Sequence, residues 1–192
     1  MDFYPKPINE RFSAPKRAGK AEKTNAVGTG AAFVCGSFVR FYLEIDANTK
    51  EIRDAKFKSN GCGFAIAAAD VLAGIIVGRK LVELHGLSEL QTEIEAELGK
   101  FDENRRHCLE ICVDAVHQAF ADFRALQIEE FAGEKALICT CFGVSEETIE
   151  KIIAENQTET VEEIGKICNA GTGCGSCQFL IQELIDIYWN ES

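Results

Sequence analysis

The sequence predicts an α+β domain, in which an antiparallel sheet packs with helices, followed by a smaller all-α domain. Three observations support this fold class. The chain has 192 residues, 46% of them hydrophobic, which is enough for one medium core and one small core. Strand periodicity near the N-terminus gives way to helical periodicity, an order typical of α+β domains. Beyond about residue 127 the composition changes and acidic residues dominate.

The predicted sheet begins after a polar N-terminal segment. Residues 1–30 hold all three prolines, which predicts a partly ordered arm rather than a core element. The stretch SFVRFYLEID at 37–46 alternates apolar and polar side chains, the pattern of a strand with one buried face. A second strand is predicted at 52–60, and the turn-like ANTKE between the two strands makes them an antiparallel hairpin.

Helices are predicted after this hairpin. Residues 64–78 are apolar all round, which is typical of a buried helix. A long helix is predicted over about 106–125, where apolar residues recur every three or four positions. These elements predict a first folded domain over residues 31–126.

A domain boundary is predicted at about 127–138, and three helical patterns follow it. Ser145 can cap the first of these helices, and Thr160 with Glu163 forms a capping box for the second. The patterns predict a small all-α domain over residues 137–190. A domain this short usually needs a stabilising cross-link in addition to its own core, and a metal or cluster bound by cysteines would provide one.

Composition disfavours several classes of function. No apolar run is long enough and free enough of charge to span a membrane, and the N-terminus lacks the apolar stretch of a secretory signal, so we expect a cytoplasmic protein. The net charge of the chain is −11, and most of it lies in residues 127–192, which carry 13 acidic and 3 basic side chains. A nucleic-acid ligand would require a basic face, so this pattern disfavours nucleic acid and favours a basic redox partner for the last third.

Nine cysteines in a reducing compartment indicate metal binding or thiol chemistry rather than disulfides. Cys35 precedes the first strand, Cys62 precedes the buried helix, and His107 and Cys108 begin the long helix. Helix N-termini should favour the thiolates of Cys62 and Cys108. Three thiols and an imidazole could fill a tetrahedral zinc or iron site or hold a nascent iron–sulfur cluster. The alternative for any one cysteine alone is burial as a small apolar side chain.

A second set of cysteines lies in the C-terminal domain as C-x-C followed by C-x2-C. Four such thiolates could bind zinc or a [2Fe-2S] cluster, and spacing alone does not choose between them. Cys112 and Cys168 fall on apolar helical faces and are predicted to be core residues rather than ligands. The second set comprises Cys139, Cys141, Cys174 and Cys177.

The stretches AVGTGAAFVCGS, DAKFKSNGCGFAIAAAD and RRHCLEICVDAV resemble the three cysteine motifs of the U-type iron–sulfur scaffold family, over roughly residues 10–125. The resemblance implies that Cys35, Cys62 and Cys108 bind a transient iron–sulfur cluster, while the donor set itself also allows a bound iron or zinc ion. It also implies that Cys108 accepts persulfide sulfur from a cysteine desulfurase. Ser37 stands where the family has an aspartate, so His107 is expected as the fourth ligand.

The segments ICTCFGVSEETIEKIIAENQ and GTGCGSCQFLIQEL resemble the bacterioferritin-associated ferredoxin-like domain, over about residues 138–188. That resemblance implies a stable [2Fe-2S] cluster on the second set of cysteines. The order of the two resemblances along the chain is that of the NifU family without its C-terminal third domain.

Together the resemblances imply a scaffold, not an enzyme, that builds a transient cluster and transfers it to apo iron–sulfur proteins. A homodimer is left open. The alternative is an electron-transfer or redox-regulatory [2Fe-2S] protein whose N-terminal domain binds zinc or only docks a partner. A third interpretation, a zinc-stapled adaptor, also fits the cysteine spacing.

Overall fold

The computed structural model describes residues 3–84, 87–130 and 136–191. The chain forms two compact units, residues 1–123 and residues 124–192. Within the described ranges, every helix is too short or too polar to cross a bilayer.

A three-stranded antiparallel sheet forms one layer of the first unit. Its strands, β1 (Ala26–Ala32), β2 (Ser37–Ile45) and β3 (Ile52–Ser59), lie side by side in chain order. Every second residue at the centre of β2 is completely buried, and the residues between them face outward or are half-buried. The predicted hairpin is therefore confirmed as β2 and β3, with one face turned toward the core.

Helices complete the first unit, and their apolar residues join the sheet in a single core. The predicted buried helix is confirmed, with five buried alanines that allow its neighbours to approach closely. The long helix begins at the predicted residue and runs further than the sequence indicated. The helices are α1 (Lys6–Ser13), α2 (Gly63–Ile76), α3 (Leu87–Leu98) and α4 (Arg106–Glu130), with 3₁₀ turns at Leu81–Glu83 and Glu103–Arg105.

The N-terminal residues contribute more than the sequence predicted, so the partly ordered arm is corrected. Residues of this segment form α1 and most of β1, and Ile8 of α1 is 1% exposed in the main core. Two physical reasons explain the difference. The sequence of β1 is made of Ala, Gly, Val and Thr, so it lacks the apolar and polar alternation that identifies a strand. A polar contact rather than an apolar stripe holds α1 in place.

That contact is made to Asp70, a carboxylate of α2 that is completely buried. Arg11 Nη1 donates to Asp70 Oδ2 at 2.9 Å, and the backbone N–H of Arg17 donates to Asp70 Oδ1 at 2.7 Å. Arg11 Nη2 also donates to Glu97 of α3 at 2.8 Å. A buried charge is tolerated only when it is paired and hydrogen-bonded, so Asp70 ties the N-terminal segment to the helical layer.

The second unit is mainly helical and has its own small core. It also contains a short hairpin, β4 (Leu137–Cys139) and β5 (Val144–Ser145), so the all-α expectation is corrected at this point. The predicted caps are confirmed: Ser145 Oγ accepts from the Thr148 N–H, and Thr160 forms a capping box with Glu163. The helices are α5 (Glu146–Asn156), α6 (Val161–Cys168) and α7 (Gln178–Glu191).

We expect Arg11→Met to lower the free energy of unfolding of the first unit by about 2 kcal/mol, because it leaves the buried Asp70 carboxylate without its counter-ion. The arginine side chain is 30% exposed, so water lessens the effect. Lys6→Met is the matched control, since its 3.9 Å pair with Glu10 is exposed, and it should change stability by less than about 0.5 kcal/mol. Urea denaturation followed by circular dichroism measures both. Equal effects would contradict a structural role for the Asp70 contact.

Two candidate metal-binding centres

The first centre consists of Cys35, Cys62, His107 and Cys108. Cys35 lies in the turn between β1 and β2, Cys62 is the N-cap of α2, and the other two lie in the first turn of α4. The structure therefore brings together side chains from three separate elements. The hydroxyl of Tyr4 accepts from the Gly63 N–H at 3.1 Å, so α1 and its preceding residues also pack beside the Cys62 end of this centre.

Three distances within the first centre match those expected around one metal ion. Cys35 Sγ lies 3.6 Å from His107 Nε2, and Cys108 Sγ lies 3.5 Å from the same nitrogen. Cys62 Sγ lies 3.8 Å from Cys108 Sγ. A tetrahedral zinc with ordinary bond lengths places two sulfurs about 3.8 Å apart, and a sulfur and a nitrogen about 3.5 Å apart. The donor set therefore fits zinc or iron.

The donors are neighbours rather than a finished cage. Among the described residues, no group of three or more cysteine, histidine or carboxylate side chains already encloses a point that could hold an ion. The contacts run in a chain from Cys35 through His107 and Cys108 to Cys62. Cys35 is the exposed end of that chain and Cys108 is buried within it. Closing the cage therefore requires a rearrangement of these side chains.

Two glycines that the sequence interpretation missed set the spacing of the first centre. A Cβ on Gly28 would lie 2.0 Å from the Ala115 carbonyl oxygen, and a Cβ on Gly30 would lie 2.0 Å from the Ile111 carbonyl oxygen. Only hydrogen fits, so the backbone of β1 rests directly on the backbone of α4. The Cys35 turn follows β1, and the Ile111 contact lies one helical turn beyond the start of α4. Two glycines in alternate positions of one strand were the available signal.

Ser37 stabilises the thiolate of Cys35. Its hydroxyl oxygen lies 3.2 Å from Cys35 Sγ. Donation from the Ser37 hydroxyl and from its backbone N–H lowers the pKa of the exposed Cys35 thiol, and the charge of Arg105 adds a smaller effect. The serine at this position therefore favours the anionic form of its neighbour instead of supplying a carboxylate.

Burial has the opposite effect at Cys108. The side chain is 1% exposed, and burial, followed by the neighbouring Cys62 thiol, raises the pKa of Cys108 to about 12. The expectation that a helix N-terminus favours the Cys108 thiolate is therefore wrong, because burial outweighs the helix dipole. Cys112 is completely buried, with its thiol 3.6 Å from the Ala65 carbonyl oxygen, which confirms it as a core residue.

The second centre comes from the C-x-C and C-x2-C motifs of the second unit. The thiols of Cys141 and Cys174 lie 3.4 Å apart, and the thiols of Cys139 and Cys177 are hydrogen-bonded to each other. Each motif thus contributes one member to each close pair. Four thiols paired in this way fit a zinc ion or a [2Fe-2S] cluster. Cys168 is half-buried and donates to the Ile164 carbonyl at 3.3 Å.

A Cys-Gly-Ser segment occurs once in each centre, with the same local geometry. Gly36 and Gly175 have φ of 67° and 78°, a left-handed conformation that glycine adopts without strain. Ser176 Oγ lies 3.3 Å from Cys174 Sγ and, through its hydroxyl and backbone N–H, lowers the pKa of Cys174. The second centre also contains a buried thiol, since burial and the neighbouring Cys139 raise the pKa of Cys177 to about 11. Each centre therefore combines an exposed thiol whose pKa is lowered with a buried thiol whose pKa is raised.

Comparison with known proteins assigns both units. Residues 3–130 match the model of the NifU-like N terminal domain, and residues 137–187 match the model of the BFD-like [2Fe-2S] binding domain. Among solved structures, the N-terminal NifU-like protein of Brucella abortus has a TM-score of 0.51 at 23% identity, covering 67% of this chain and 95% of that chain. That likeness concerns the fold.

Two relatives at the sequence level cover different parts of the chain. The nitrogen fixation protein NifU of Trichormus azollae is 31% identical over 190 residues, which is 95% of this chain and 63% of that protein. The iron-sulfur cluster assembly scaffold protein IscU of Haemophilus influenzae is 32% identical over 127 residues, which is 65% of this chain and 98% of that protein. This chain thus spans about two thirds of the length of the NifU relative and nearly the whole of the IscU relative.

We expect Gly30→Ala to weaken zinc binding at the first centre at least about tenfold, because the added methyl group pushes β1 away from α4 and separates Cys35 from His107. Gly74→Ala is the matched control, since nothing lies within 4 Å of its Cβ position. Competition with a chelator measures the zinc affinity. Both variants are made in a background with Cys174→Ser and Cys177→Ser, which removes zinc binding by the second centre. If Gly30→Ala bound zinc as tightly as Gly74→Ala, the contact between β1 and α4 would not determine the spacing of the ligands.

We expect Ser37→Ala to raise the pKa of Cys35, because the variant loses the Ser37 side-chain hydrogen bond that lowers it. The rate of iodoacetamide labelling of Cys35 in metal-free protein, measured peptide by peptide between about pH 6 and 10, should shift to higher pH. Ser176→Ala makes the same change in the other unit. It should shift labelling of Cys174 and leave Cys35 unchanged. An unchanged Cys35 profile in Ser37→Ala would show that the hydroxyl does not act on the thiolate.

Proposed function

This chain belongs to the NifU-like N-terminal domain family, and from that membership we propose that it is a scaffold for iron–sulfur cluster assembly rather than an enzyme. The observation that carries the proposal is the chain of donors in the first centre. Its members come from three elements and already lie at the spacing of ligands around one ion. A transient cluster is the cargo of this centre, to be transferred to apo iron–sulfur proteins.

The ligands of the first centre suit a cluster that is released to another protein. Cys35, Cys62 and Cys108 would hold it, and His107 would fill the fourth position because residue 37 offers no carboxylate. Imidazole binds as a neutral ligand, so it adds no charge to hold the metal. Cys35 is exposed while Cys108 is buried, which gives the site an open outer side and a closed inner side. An acceptor protein could therefore reach the cargo without unfolding of the core.

The sulfur would come from a cysteine desulfurase, with Cys108 as the acceptor. In that step the Cys108 thiol loses its proton and its sulfur attacks the terminal sulfur of the donor's persulfide. A new S–S bond forms at Cys108, the donor's S–S bond breaks, and the donor cysteine leaves as a thiolate that takes up the proton. No net oxidation occurs. Cys108 is 1% exposed, so the transfer requires the first centre to open. The Cys35 turn, which carries the exposed thiol of this centre, would open.

The second centre would hold a permanent [2Fe-2S] cluster on the four cysteines of the second unit. Such a cluster accepts and donates one electron at a time. The chain's own contribution is to hold the thiols in two close pairs and to satisfy them with donors such as Ser176. We propose that these electrons serve the reduction of sulfur delivered to the first centre.

We expect anaerobically reconstituted protein to lose one population of cluster to EDTA and retain another. The first centre is open on one side and has a neutral ligand, whereas the second has four thiols. Visible absorption with iron and acid-labile sulfide counts measures both populations. Cys62→Ser should remove only the extractable population, and Cys141→Ser only the retained one.

Transfer to an apo-ferredoxin completes this test. Wild type and Cys141→Ser should donate a cluster, and Cys62→Ser should not. Retention of both populations in EDTA would favour the electron-carrier alternative over the scaffold. So would a failure of both wild type and Cys141→Ser to donate a cluster.

A further inference from the structure

Helix α7 has two apolar sides, and the core uses one of them. Ile181 and Ile185 are buried in the core of the second unit. On another side of the same helix, Phe179 is 78% exposed and Ile187 is 46% exposed. Large apolar side chains at this exposure gain nothing from the fold of the unit, and such patches commonly mark binding surfaces.

The exposed side chains form one continuous groove with a volume of about 340 Å³. Phe179 and Ile187 lie on either side of the carboxylates of Glu183 and Asp186, and Asn190 lies at the C-terminal end. Gln182 donates to Asp186 Oδ1 at 2.8 Å. Within the described part of the chain, no lysine or arginine forms an ion pair with either carboxylate. The outer α7 face consists of Phe179, Gln182, Glu183, Asp186, Ile187 and Asn190.

This face starts at the second centre. The carbonyl of Cys177 accepts from the Ile181 N–H at 3.0 Å, so the cysteine belongs to the first turn of the helix. Phe179 lies in that turn, two residues from the thiol. A protein seated on the outer α7 face would therefore contact the structural element that carries a ligand of the second centre.

We propose that the outer α7 face is the docking surface for the electron-transfer partner of the second centre, a protein whose contact patch is cationic at its middle, opposite Glu183 and Asp186, with apolar side chains on either side. Charge complementarity selects this occupant. Helix α7 has no basic residue, and residues 127–192 carry 13 acidic and 3 basic side chains. A second copy of this unit would bring like charges together, whereas a cationic protein is steered toward the face. The inference rests on the proposed [2Fe-2S] function of the second centre.

Oxidation of the reduced full-length protein by ferricytochrome c, a cationic haem protein, tests the proposal. One electron passes from the reduced cluster to the ferric haem, which becomes ferrous. At low ionic strength, Glu183→Gln with Asp186→Asn should slow this reaction about tenfold, and added salt should remove most of the difference. Oxidation by anionic ferricyanide should not slow. Phe179→Ser should slow the cytochrome reaction at high salt as well, because it removes an apolar contact.

Glu155→Gln with Glu159→Gln is the matched control, since it makes the same change in net charge at exposed positions outside α7. If the control pair slowed the reaction as much as the α7 pair, the effect would come from the net charge of the protein alone. That result would overturn the proposed docking surface. Conversion of a dimer to a monomer by the α7 variants, measured by light scattering, would assign the face to a second copy and also overturn it. The visible spectrum of a [2Fe-2S] cluster is checked first in every variant. Its absence from wild type would refute the proposed function itself, and with it this inference.

Discussion

The first unit depends on direct contact between the backbone of β1 and the backbone of α4. At Gly28 and Gly30 no side chain separates the strand from the helix, and a methyl group would overlap a carbonyl oxygen. Contact between two backbones cannot be adjusted by a rotamer change, so the spacing of these elements is fixed by van der Waals radii. Cys35 lies at the end of one element and His107 at the start of the other. The packing therefore brings these two side chains near each other, and Cys35 Sγ lies 3.6 Å from His107 Nε2.

The other side of the first centre is fixed by a polar contact. Cys62 precedes α2, and the buried Asp70 of α2 is satisfied by Arg11 and by the backbone of Arg17. The N-terminal segment thus holds the helix that presents Cys62, while the glycine contact holds the elements that present Cys35 and Cys108. A metal site is only as well defined as the elements that carry its ligands. Here the element that carries Cys62 and the elements that carry Cys35 and Cys108 are held by separate contacts.

The sequence identified chemistry better than it identified architecture. The cysteine motifs, the caps at Ser145 and Thr160, and the β2 and β3 hairpin were all predictable, because each depends on residues close together in the chain. Strand β1 was not predicted, since small residues without alternation give no strand signal. Nor was the seating of α1, because the partner of Arg11 is 59 residues away. The opposite pKa shifts of Cys35 and Cys108 also depend on burial and neighbours that exist only in the folded chain.

The shared Cys-Gly-Ser geometry means that the exposed cysteine alone does not distinguish the two centres. In both centres glycine lets serine reach back to the thiol, and in both a buried thiol has a raised pKa. The difference lies in the remaining donors, an imidazole in one case and a fourth thiol in the other.

The two parts of the chain also differ in charge. Residues 1–126 carry 17 basic and 18 acidic side chains, while residues 127–192 carry 3 and 13, so a cationic partner is attracted to the second unit and not to the first.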